Sequence, residues 1–211
     1  MLKKNKSQIR QAVKALEAQV DKTVKNELPL KIQHNLLNSK EWKEAELVGL
    51  YMPLADEAQT NLLFKSALAM KKVILLPRCI EIYLEDKVLG KTLRSIEFVP
   101  CHSLDELSTQ KFGILEPLPT LKALTPGEGI FTPKTKKTLF IIPGRAFDLN
   151  GGRLGRGAGY YDTYLSNPLL KEVFLVGYGF SFSVYPALPL EPHDIKMNAL
   201  CTDKEFICFK S

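Results

Sequence analysis

The stretch GGRLGRGAGYYDTYL, residues 151–165, combines glycines, arginines and one aspartate in a pattern that suits phosphate binding. Five of the chain's 13 glycines lie in its first nine residues. Glycines let backbone N–H groups converge on phosphate oxygens, and a helix beginning at YYDTYL would add partial positive charge. Arg153 and Arg156 would supply fixed charge with bidentate geometry, and Asp162 could hold Mg²⁺ or cap the helix. From glycine content alone, a flexible turn between two strands is the equal alternative.

Two familiar phosphate motifs do not describe this stretch. A P-loop requires G-x-x-x-x-G-K-[ST], which the stretch lacks, and the chain's one GKT tripeptide at 90–92 has a glutamate where the first glycine belongs. A dinucleotide fingerprint requires G-x-G-x-x-G directly after a strand, whereas the spacing from Gly155 is G-x-G-x-G. The sequence therefore indicates a nucleotide loop of another kind.

An amphipathic helix is predicted over residues 6–24, where apolar side chains recur every three or four positions. Lys6, Arg10 and Lys14 are four residues apart, so they form one basic stripe along that helix. A solvated face is the ordinary interpretation of such a stripe. It becomes functional only if an anion site lies beside it.

The rest of the chain supplies a scaffold for these residues. Strand, helix and strand patterns follow one another at 45–52, 57–70 and 72–77, which predicts a βαβ unit. IEIYLED and SIEFVP indicate a hairpin at one side of the sheet, and further strands are predicted at 138–143, 172–180 and the C-terminal ALCTDKEFICF. We predict an α/β fold: a single three-layer αβα domain over residues 1–211, with a mixed, largely parallel sheet and helices on both faces.

Composition limits the classes of function. The 211 residues are 45% hydrophobic and 25% charged, as in ordinary soluble proteins, with a net charge of +6. Residues 1–40 hold nine Lys/Arg against three Asp/Glu, so the rest of the chain is neutral, which disfavours an extended nucleic-acid surface. The chain has no membrane-length apolar run and its start lacks a signal-peptide pattern, so we predict a cytoplasmic protein. The four cysteines lack zinc spacing and are expected to be reduced thiols.

The segment IIPGRAFDLNGGRLGRGAGYYDTYL resembles the signature of the 5-formyltetrahydrofolate cyclo-ligases, also called 5,10-methenyltetrahydrofolate synthetases. The resemblance extends in order along most of the chain, through KSQIR, YMPLADEAQT, VILLP, KFGILEP and EPHDIKMNALCTD. The glycine loop with GYYD is highly specific, whereas the other segments are specific only in combination.

This resemblance implies an enzyme that uses ATP and Mg²⁺ to convert 5-formyltetrahydrofolate into 5,10-methenyltetrahydrofolate, ADP and phosphate. The implied catalytic residues are Lys6, Arg10 and Arg156, and the implied metal ligands are Asp162 and Asp194. The implied ATP-binding residues are Lys6, Arg10, Arg153, Leu154, Gly155, Arg156, Gly157, Ala158, Gly159, Tyr160 and Tyr161. The implied folate-binding residues are Arg10, Met52, Glu57, Arg156, Gly157, Ala158, Gly159 and Tyr160. Tyr160 and Phe147 are alternatively ring-stacking residues or core aromatics.

The chain departs from the family pattern at Arg145, where a small or aliphatic residue is usual, and at Gln59, where an acid is usual. These departures bear on substrate affinity more than on reaction type. Two other functions stay open at this point: ATP-dependent activation of another acyl substrate, and an RNA-binding module with a basic N-terminal helix. The expected partners are ATP and a reduced folate, without nucleic acid or membrane, and the resemblance implies a monomer.

Overall fold

Helices and strands follow one another along most of the chain. The computed structural model describes residues 5–83, 92–110, 113–133 and 137–209. Its α-helices are α1 (Lys6–Gln19), α2 (Lys22–Asn38), α3 (Lys40–Glu44), α4 (Asn61–Ala69) and α5 (Tyr160–Leu165). Its strands are β1 (Leu47–Gly49), β2 (Val73–Tyr83), β3 (Thr92–Pro100), β4 (Leu107–Thr109), β5 (Leu115–Pro117), β6 (Thr138–Pro143), β7 (Ala146–Asp148), β8 (Arg153–Leu154), β9 (Phe174–Tyr178), β10 (Val184–Tyr185), β11 (Ala199–Cys201) and β12 (Phe206–Cys208). Within these described ranges, no helix is long and apolar enough to cross a membrane.

Seven strands form the main sheet in the order β12-β11-β9-β6-β1-β2-β3. The consecutive strands from β11 to β2 pair in parallel, whereas β12 and β3 pair antiparallel at the two edges. Parallel neighbours need a crossover connection, and α4 lies in the connection between β1 and β2. The predicted α/β fold with a mixed, largely parallel sheet is confirmed.

Alternate side chains of the strands belong to two hydrophobic cores, one on each face of this sheet. On one face, residues of α2, α3 and α4 such as Leu36, Trp42 and Leu63 pack with Val48 of β1. On the other face, Leu165 of α5 belongs to a cluster with residues from the strands and from the loops around them. Burial of both faces is what a parallel sheet requires, and it produces the predicted three layers.

The N-terminal helix is shorter than the sequence pattern predicts. α1 ends at Gln19, and Asp21 caps α2 by accepting a hydrogen bond from the backbone N–H of Thr23 at 2.8 Å. An aspartate is a preferred N-cap residue, so it starts a second helix where the apolar period alone continues the first. α2 contains Pro29, whose carbonyl accepts a 2.7 Å hydrogen bond from the buried Gln33 side chain.

The strand predicted over 72–77 is longer in the structure, because β2 continues through Pro77 to Tyr83. β1 pairs with β2 only as far as Leu75, and beyond that point β2 is paired with β3. A proline is tolerated where a strand has a free side, since its missing N–H then removes no ladder bond. The predicted hairpin is confirmed as the antiparallel β2–β3 pair.

Phe147 of β7 packs inside the fold. Its side chain is 1% exposed, and added Cβ atoms at Gly144, Gly177 and Gly179 would lie 2.5 to 2.8 Å from its ring. These three glycines therefore make room for the ring. For Phe147 the core alternative is confirmed, and stacking on a ligand is excluded by its burial.

Candidate active site

A cavity of about 1040 Å³ lies beside the carboxyl ends of β1 and β6, next to α1 and the glycine loop. Ligand sites of open α/β sheets lie at this end of the strands. All the predicted site residues line this cavity: Lys6, Arg10, Met52, Glu57, Arg153, Leu154, Gly155, Arg156, Gly157, Ala158, Gly159, Tyr160, Tyr161, Asp162 and Asp194. The fold thus brings together residues that lie up to 188 positions apart in the sequence.

The glycine loop follows β8 and ends at the N-terminus of α5. Gly157 has φ +105° and Gly159 has φ +77°, values that other residues rarely adopt. An added Cβ at Gly157 would lie 3.4 Å from the guanidinium carbon of Arg10. Glycine is therefore favoured at both positions by the backbone conformation, and at Gly157 the Arg10 guanidinium packs against the loop.

α1 presents Lys6 and Arg10 to the cavity from neighbouring turns. Arg10 Nε donates a 2.8 Å hydrogen bond to the carbonyl of Gly155. Lys6 Nζ lies 2.8 Å from Asp194 Oδ2 and 3.3 Å from Glu191 Oε2. Ile9 and other apolar residues of α1 pack with a hydrophobic cluster that includes β7 and β8 residues, which fixes the helix against the loop. The basic stripe is therefore turned toward the cavity at these two positions.

The ion pair between Lys6 and Asp194 shifts both pKa values in the direction that keeps both groups charged. Partial burial opposes charge on Lys6, but the hydrogen bonds and charges of Asp194 and Glu191 raise the pKa of its ammonium group. Partial burial likewise opposes charge on Asp194, but Lys6 and the backbone N–H of Glu191 lower the pKa of its carboxyl. Lys14, the third member of the stripe, is exposed and lies outside this cavity.

Arg153 forms the most buried charged contact of the site. Its side chain is 3% exposed, and its Nη2 lies 2.6 Å from Asp162 Oδ1. Its Nη1 donates to the Pro143 carbonyl at 3.2 Å, and its guanidinium lies over the Tyr161 ring at 5.8 Å. Arg153 therefore holds Asp162 in a defined position at the start of α5.

Arg156 lies between the glycine loop and the segment after β1. Its Nε donates to Glu57 Oε1 at 3.1 Å, and its Nη2 is hydrogen-bonded to Asp56 Oδ1. The second oxygen of Glu57 accepts a 3.0 Å hydrogen bond from the backbone N–H of Leu54. Partial burial opposes charge on Arg156, but Asp56 and Glu57 raise the pKa of its guanidinium. Arg156 thus links the two sides of the cavity.

A model of the 5-formyltetrahydrofolate cyclo-ligase family matches residues 2–203. The chain belongs to this family. A probable 5-formyltetrahydrofolate cyclo-ligase of Schizosaccharomyces pombe is 32% identical over 182 residues, which cover 79% of each chain. The 5-formyltetrahydrofolate cyclo-ligase of Mus musculus is 24% identical over 200 residues, covering 92% of this chain and 89% of the mouse protein.

Solved structures agree with this family assignment. The 5,10-methenyltetrahydrofolate synthetase of Aquifex aeolicus superposes with a TM-score of 0.72 at 31% identity, covering 98% of this chain and 93% of that chain. The Mycoplasma pneumoniae protein of the same name shares the fold, with a TM-score of 0.65 at 20% identity, covering 95% of this chain and 99% of that chain. The resemblance that the sequence motifs indicate is confirmed.

Some cavity residues of this cyclo-ligase chain were missed by sequence reasoning. Glu191 contacts Lys6, and its signal was its position three residues before Asp194 in EPHD. Cys79, Ile96 and Glu116 line the cavity from β2, β3 and β5. Glu116 lies within the KFGILEP motif, but no chemical pattern in that motif indicates a ligand-facing carboxylate. Their side of the cavity depends on the long β2–β3 pair, whose extent the sequence did not reveal.

Proposed function

We propose that this protein converts 5-formyltetrahydrofolate and ATP into 5,10-methenyltetrahydrofolate, ADP and phosphate. The observation that carries the proposal is one cavity with two kinds of wall. Cations and glycine backbone line it from α1 and the glycine loop, which we call the phosphate wall. Glu57, Met52 and apolar side chains line it from the segment after β1 and from β2 and β3, which we call the folate wall. Its volume of about 1040 Å³ is at the upper end of the range of small-molecule pockets, which suits two substrates bound together.

The reaction needs two steps in which the protein mainly aligns its substrates. The γ-phosphoryl group first moves from ATP to the formyl oxygen, releasing ADP, because an amide oxygen is a poor leaving group. The neighbouring amine of the folate then attacks the formyl carbon and loses its proton, and the carbon–oxygen bond breaks so that phosphate leaves. Alignment and charge stabilisation account for most of the catalysis in phosphoryl transfers of this kind.

On the phosphate wall, Lys6, Arg10 and the glycine loop bind the polyphosphate of ATP. The loop offers backbone N–H groups, and α1 places its two cations one helical turn apart beside them. Arg156 stabilises the charge of the phosphoryl group in transfer, because it lies at the boundary between the two walls. A guanidinium suits this role through its paired donors.

On the folate wall, Glu57 accepts hydrogen bonds from the N–H groups of the pterin ring. Its carboxylate is already oriented by the Leu54 backbone N–H, so little rotational freedom is lost on binding. Met52 and Tyr160 line the same cavity and provide apolar surface for a flat ring.

Asp162 and Asp194 fit the role of Mg²⁺ ligands. Both line the cavity, and in each the structure shows one carboxylate oxygen engaged with a cation, Arg153 or Lys6. The described residues include no group of three His, Cys, Asp or Glu that would hold a metal ion by themselves. This fits Mg²⁺, which is usually bound through one or two carboxylates together with phosphate oxygens and water. A bound Mg²⁺ would neutralise charge on the phosphates.

The test is to mix purified protein with Mg·ATP and 5-formyltetrahydrofolate and to record the near-ultraviolet absorbance of the methenyl product. ADP is measured in parallel with 5-formyltetrahydrofolate and with other acyl substrates. Arg156→Ala should lower kcat by at least about 100-fold, because it removes charge stabilisation of the transition state. Lys65→Ala, an exposed change on α4 outside the cavity, is the matched control and should retain full activity.

The absence of product with wild-type protein under these conditions would refute the proposal. ADP release with another acyl substrate but not with the folate would instead support the alternative of a different ATP-dependent activation.

We also propose that the protein acts as a cytoplasmic monomer without nucleic acid or membrane. For nucleic acid, the support is that Lys6 and Arg10 of the basic stripe line the cavity. Light scattering with size-exclusion chromatography tests the monomer, and retention on immobilised RNA tests the absence of nucleic-acid binding.

A further inference from the structure

Arg145 lies in the turn between β6 and β7. Its backbone N–H donates to the Leu154 carbonyl at 2.7 Å, which places it beside the glycine loop. Its side chain is only 10% exposed and contacts two carboxylates: Asp56 at 2.6 Å and Glu17 of α1 at 3.5 Å. Arg145 therefore connects α1, the segment after β1 and the turn before β8.

Asp56 is shared between two guanidinium groups. Its Oδ2 contacts Arg145 and its Oδ1 contacts Arg156. Partial burial opposes ionisation of Asp56, but Arg156 and then Arg145 hold the pKa of its carboxyl below the usual value, so it is charged at neutral pH. Each arginine has a second carboxylate as well, Glu17 for Arg145 and Glu57 for Arg156.

Arg156 uses its Nε to bind Glu57 and its Nη2 to bind Asp56. To contact phosphate oxygens with these two nitrogens it must release the carboxylates. Release of Asp56 removes one of the two cations beside a partly buried carboxylate, which costs less if the other cation stays. Arg145 contacts the other oxygen of Asp56 at 2.6 Å, so it can remain there after Arg156 has left.

We propose that Arg145 is a positioning residue that allows Arg156 to leave Asp56 for the transferring phosphoryl group. The inference rests on the proposed function. It makes Asp56 a carboxylate that competes with ATP for Arg156, and Arg145 the cation that weakens this competition. Without Arg145, Asp56 would hold Arg156 more tightly, and both nucleotide binding and turnover would suffer.

The test is a double-mutant cycle between Arg145→Met and Asp56→Asn, with thermal unfolding measured for every variant. Methionine keeps much of the side chain's length but removes its charge, and asparagine keeps the shape of Asp56 without its charge. One readout is the Kd of a non-hydrolysable ATP analogue in the presence of Mg²⁺. The second is the kcat of methenyl-product formation and the KM values of its substrates. The first readout does not require that the protein act on a folate.

We expect Arg145→Met to weaken binding of the ATP analogue and to lower kcat by about tenfold, as is typical of broken charge couplings. Asp56→Asn should stay within about threefold of wild type, and the double variant should return to about the Asp56→Asn level, because the competing charge is gone. Glu17→Gln is the matched control: it removes the other carboxylate partner of Arg145 but leaves Asp56 charged, and it should have little effect.

A merely structural role for Arg145 gives a different pattern. In that case the double variant would be as impaired as Arg145→Met or more so, and the inference would be wrong. It would also be wrong if Arg145→Met matched wild type in both readouts. If Arg145→Met does not fold, Arg145→Lys takes its place and should retain most of the nucleotide affinity, because the charge is kept. If Arg145→Lys lowers that affinity about tenfold and Asp56→Asn does not restore it, the inference is wrong.

The two proposals fail in distinguishable ways. If wild-type protein makes no methenyl product, the proposed function fails, while the nucleotide Kd still decides the role of Arg145. If wild-type protein is active and the cycle shows no rescue, only the role of Arg145 fails.

Discussion

Replacing Asp162 with alanine should destabilise the protein even in the absence of any ligand. We propose Asp162 as a metal ligand, but in the structure its carboxylate is also the partner of Arg153 at 2.6 Å. The Arg153 side chain is 3% exposed and cannot turn to water without disturbing its contacts with the Pro143 carbonyl and the Tyr161 ring. The alanine variant therefore leaves a buried guanidinium without its countercharge.

The size of the effect follows from the burial of the two partners. Breaking a fully buried ion pair by removing one partner costs about 3–5 kcal/mol, and removing an exposed one costs about 0–1 kcal/mol. Asp162 is 28% exposed whereas Arg153 is almost fully buried, so the loss should lie between these limits. We expect a decrease of about 2–3 kcal/mol in the free energy of unfolding. Asp162→Asn keeps a hydrogen-bond acceptor and should cost about half as much.

The assay is urea unfolding followed by circular dichroism, without nucleotide or metal, for wild type, both Asp162 variants and Glu172→Ala. Glu172 is an exposed carboxylate just before β9 and controls for the loss of one negative charge. The melting temperature should fall by about 2–4 °C for each kcal/mol lost. If Asp162→Ala changes the free energy of unfolding by less than about 0.5 kcal/mol with an unchanged m-value, our reasoning about Arg153 is refuted.

Three further changes test the loop, the core and the ionisation of the site. Gly157→Ala should weaken binding of an ATP analogue about tenfold by calorimetry, because alanine is strained at φ +105°; unchanged affinity would contradict this. Gly49→Val should lower the free energy of unfolding in urea by about 1–3 kcal/mol, since a Cβ there would lie 2.4 Å from the Phe140 ring. An unchanged free energy of unfolding would show that the ring can move. Partial burial opposes ionisation of Asp56, but Arg156 lowers the pKa of its carboxyl. The ionised carboxylate therefore contributes to the free energy of unfolding above the ordinary carboxyl pKa, and this contribution is lost as the pH falls through the lowered pKa. From about pH 4 downward, wild type should therefore lose more stability than Asp56→Asn in urea titrations, and parallel curves would contradict this.

The sequence predicted the fold best where one local pattern determined an element. TLFIIP is β6 over Thr138–Pro143, as the unbroken apolar run indicated, and the helix after the glycines is α5. Prediction failed where a distant partner decided the outcome. β2 extends to Tyr83 because β3 pairs with it from Leu75 to that residue, and α2 begins at Lys22 because Asp21 caps it. Periodicity contains neither piece of information.

For the site, motif order predicted which residues meet but not how their charges are paired. Glycine spacing and the basic stripe predicted a phosphate site, whose residues line one cavity, and the structure brings Lys6 and Asp194 within 2.8 Å across 188 positions. The partners of Arg153 and Arg156 could not be predicted in the same way. A guanidinium pairs with whichever carboxylate the fold places within reach, and that depends on the tertiary structure.

These pairings change the physical picture of nucleotide binding. The sequence shows the cations but not their partners. In the structure several of these cations contact carboxylates: Lys6 contacts Asp194, Arg153 contacts Asp162, and Arg156 contacts Asp56 and Glu57. A polyphosphate that takes over the donors in these contacts must therefore replace carboxylates as their partners. The replaced carboxylates carry charge that is poorly solvated in the cavity, so they favour new partners of their own.

The identity of the displaced carboxylates gives this exchange its direction. Asp162 and Asp194 are the proposed Mg²⁺ ligands, so a phosphate that draws on Lys6 and Arg153 releases oxygens that a divalent cation can bind. Glu57 is the proposed pterin acceptor, so a phosphate that draws on Arg156 frees it for the folate. Because linkage is reciprocal, a metal or folate that binds these carboxylates must in turn favour nucleotide binding. The ion pairs would thus couple the proposed nucleotide, metal and folate sites through shared charges.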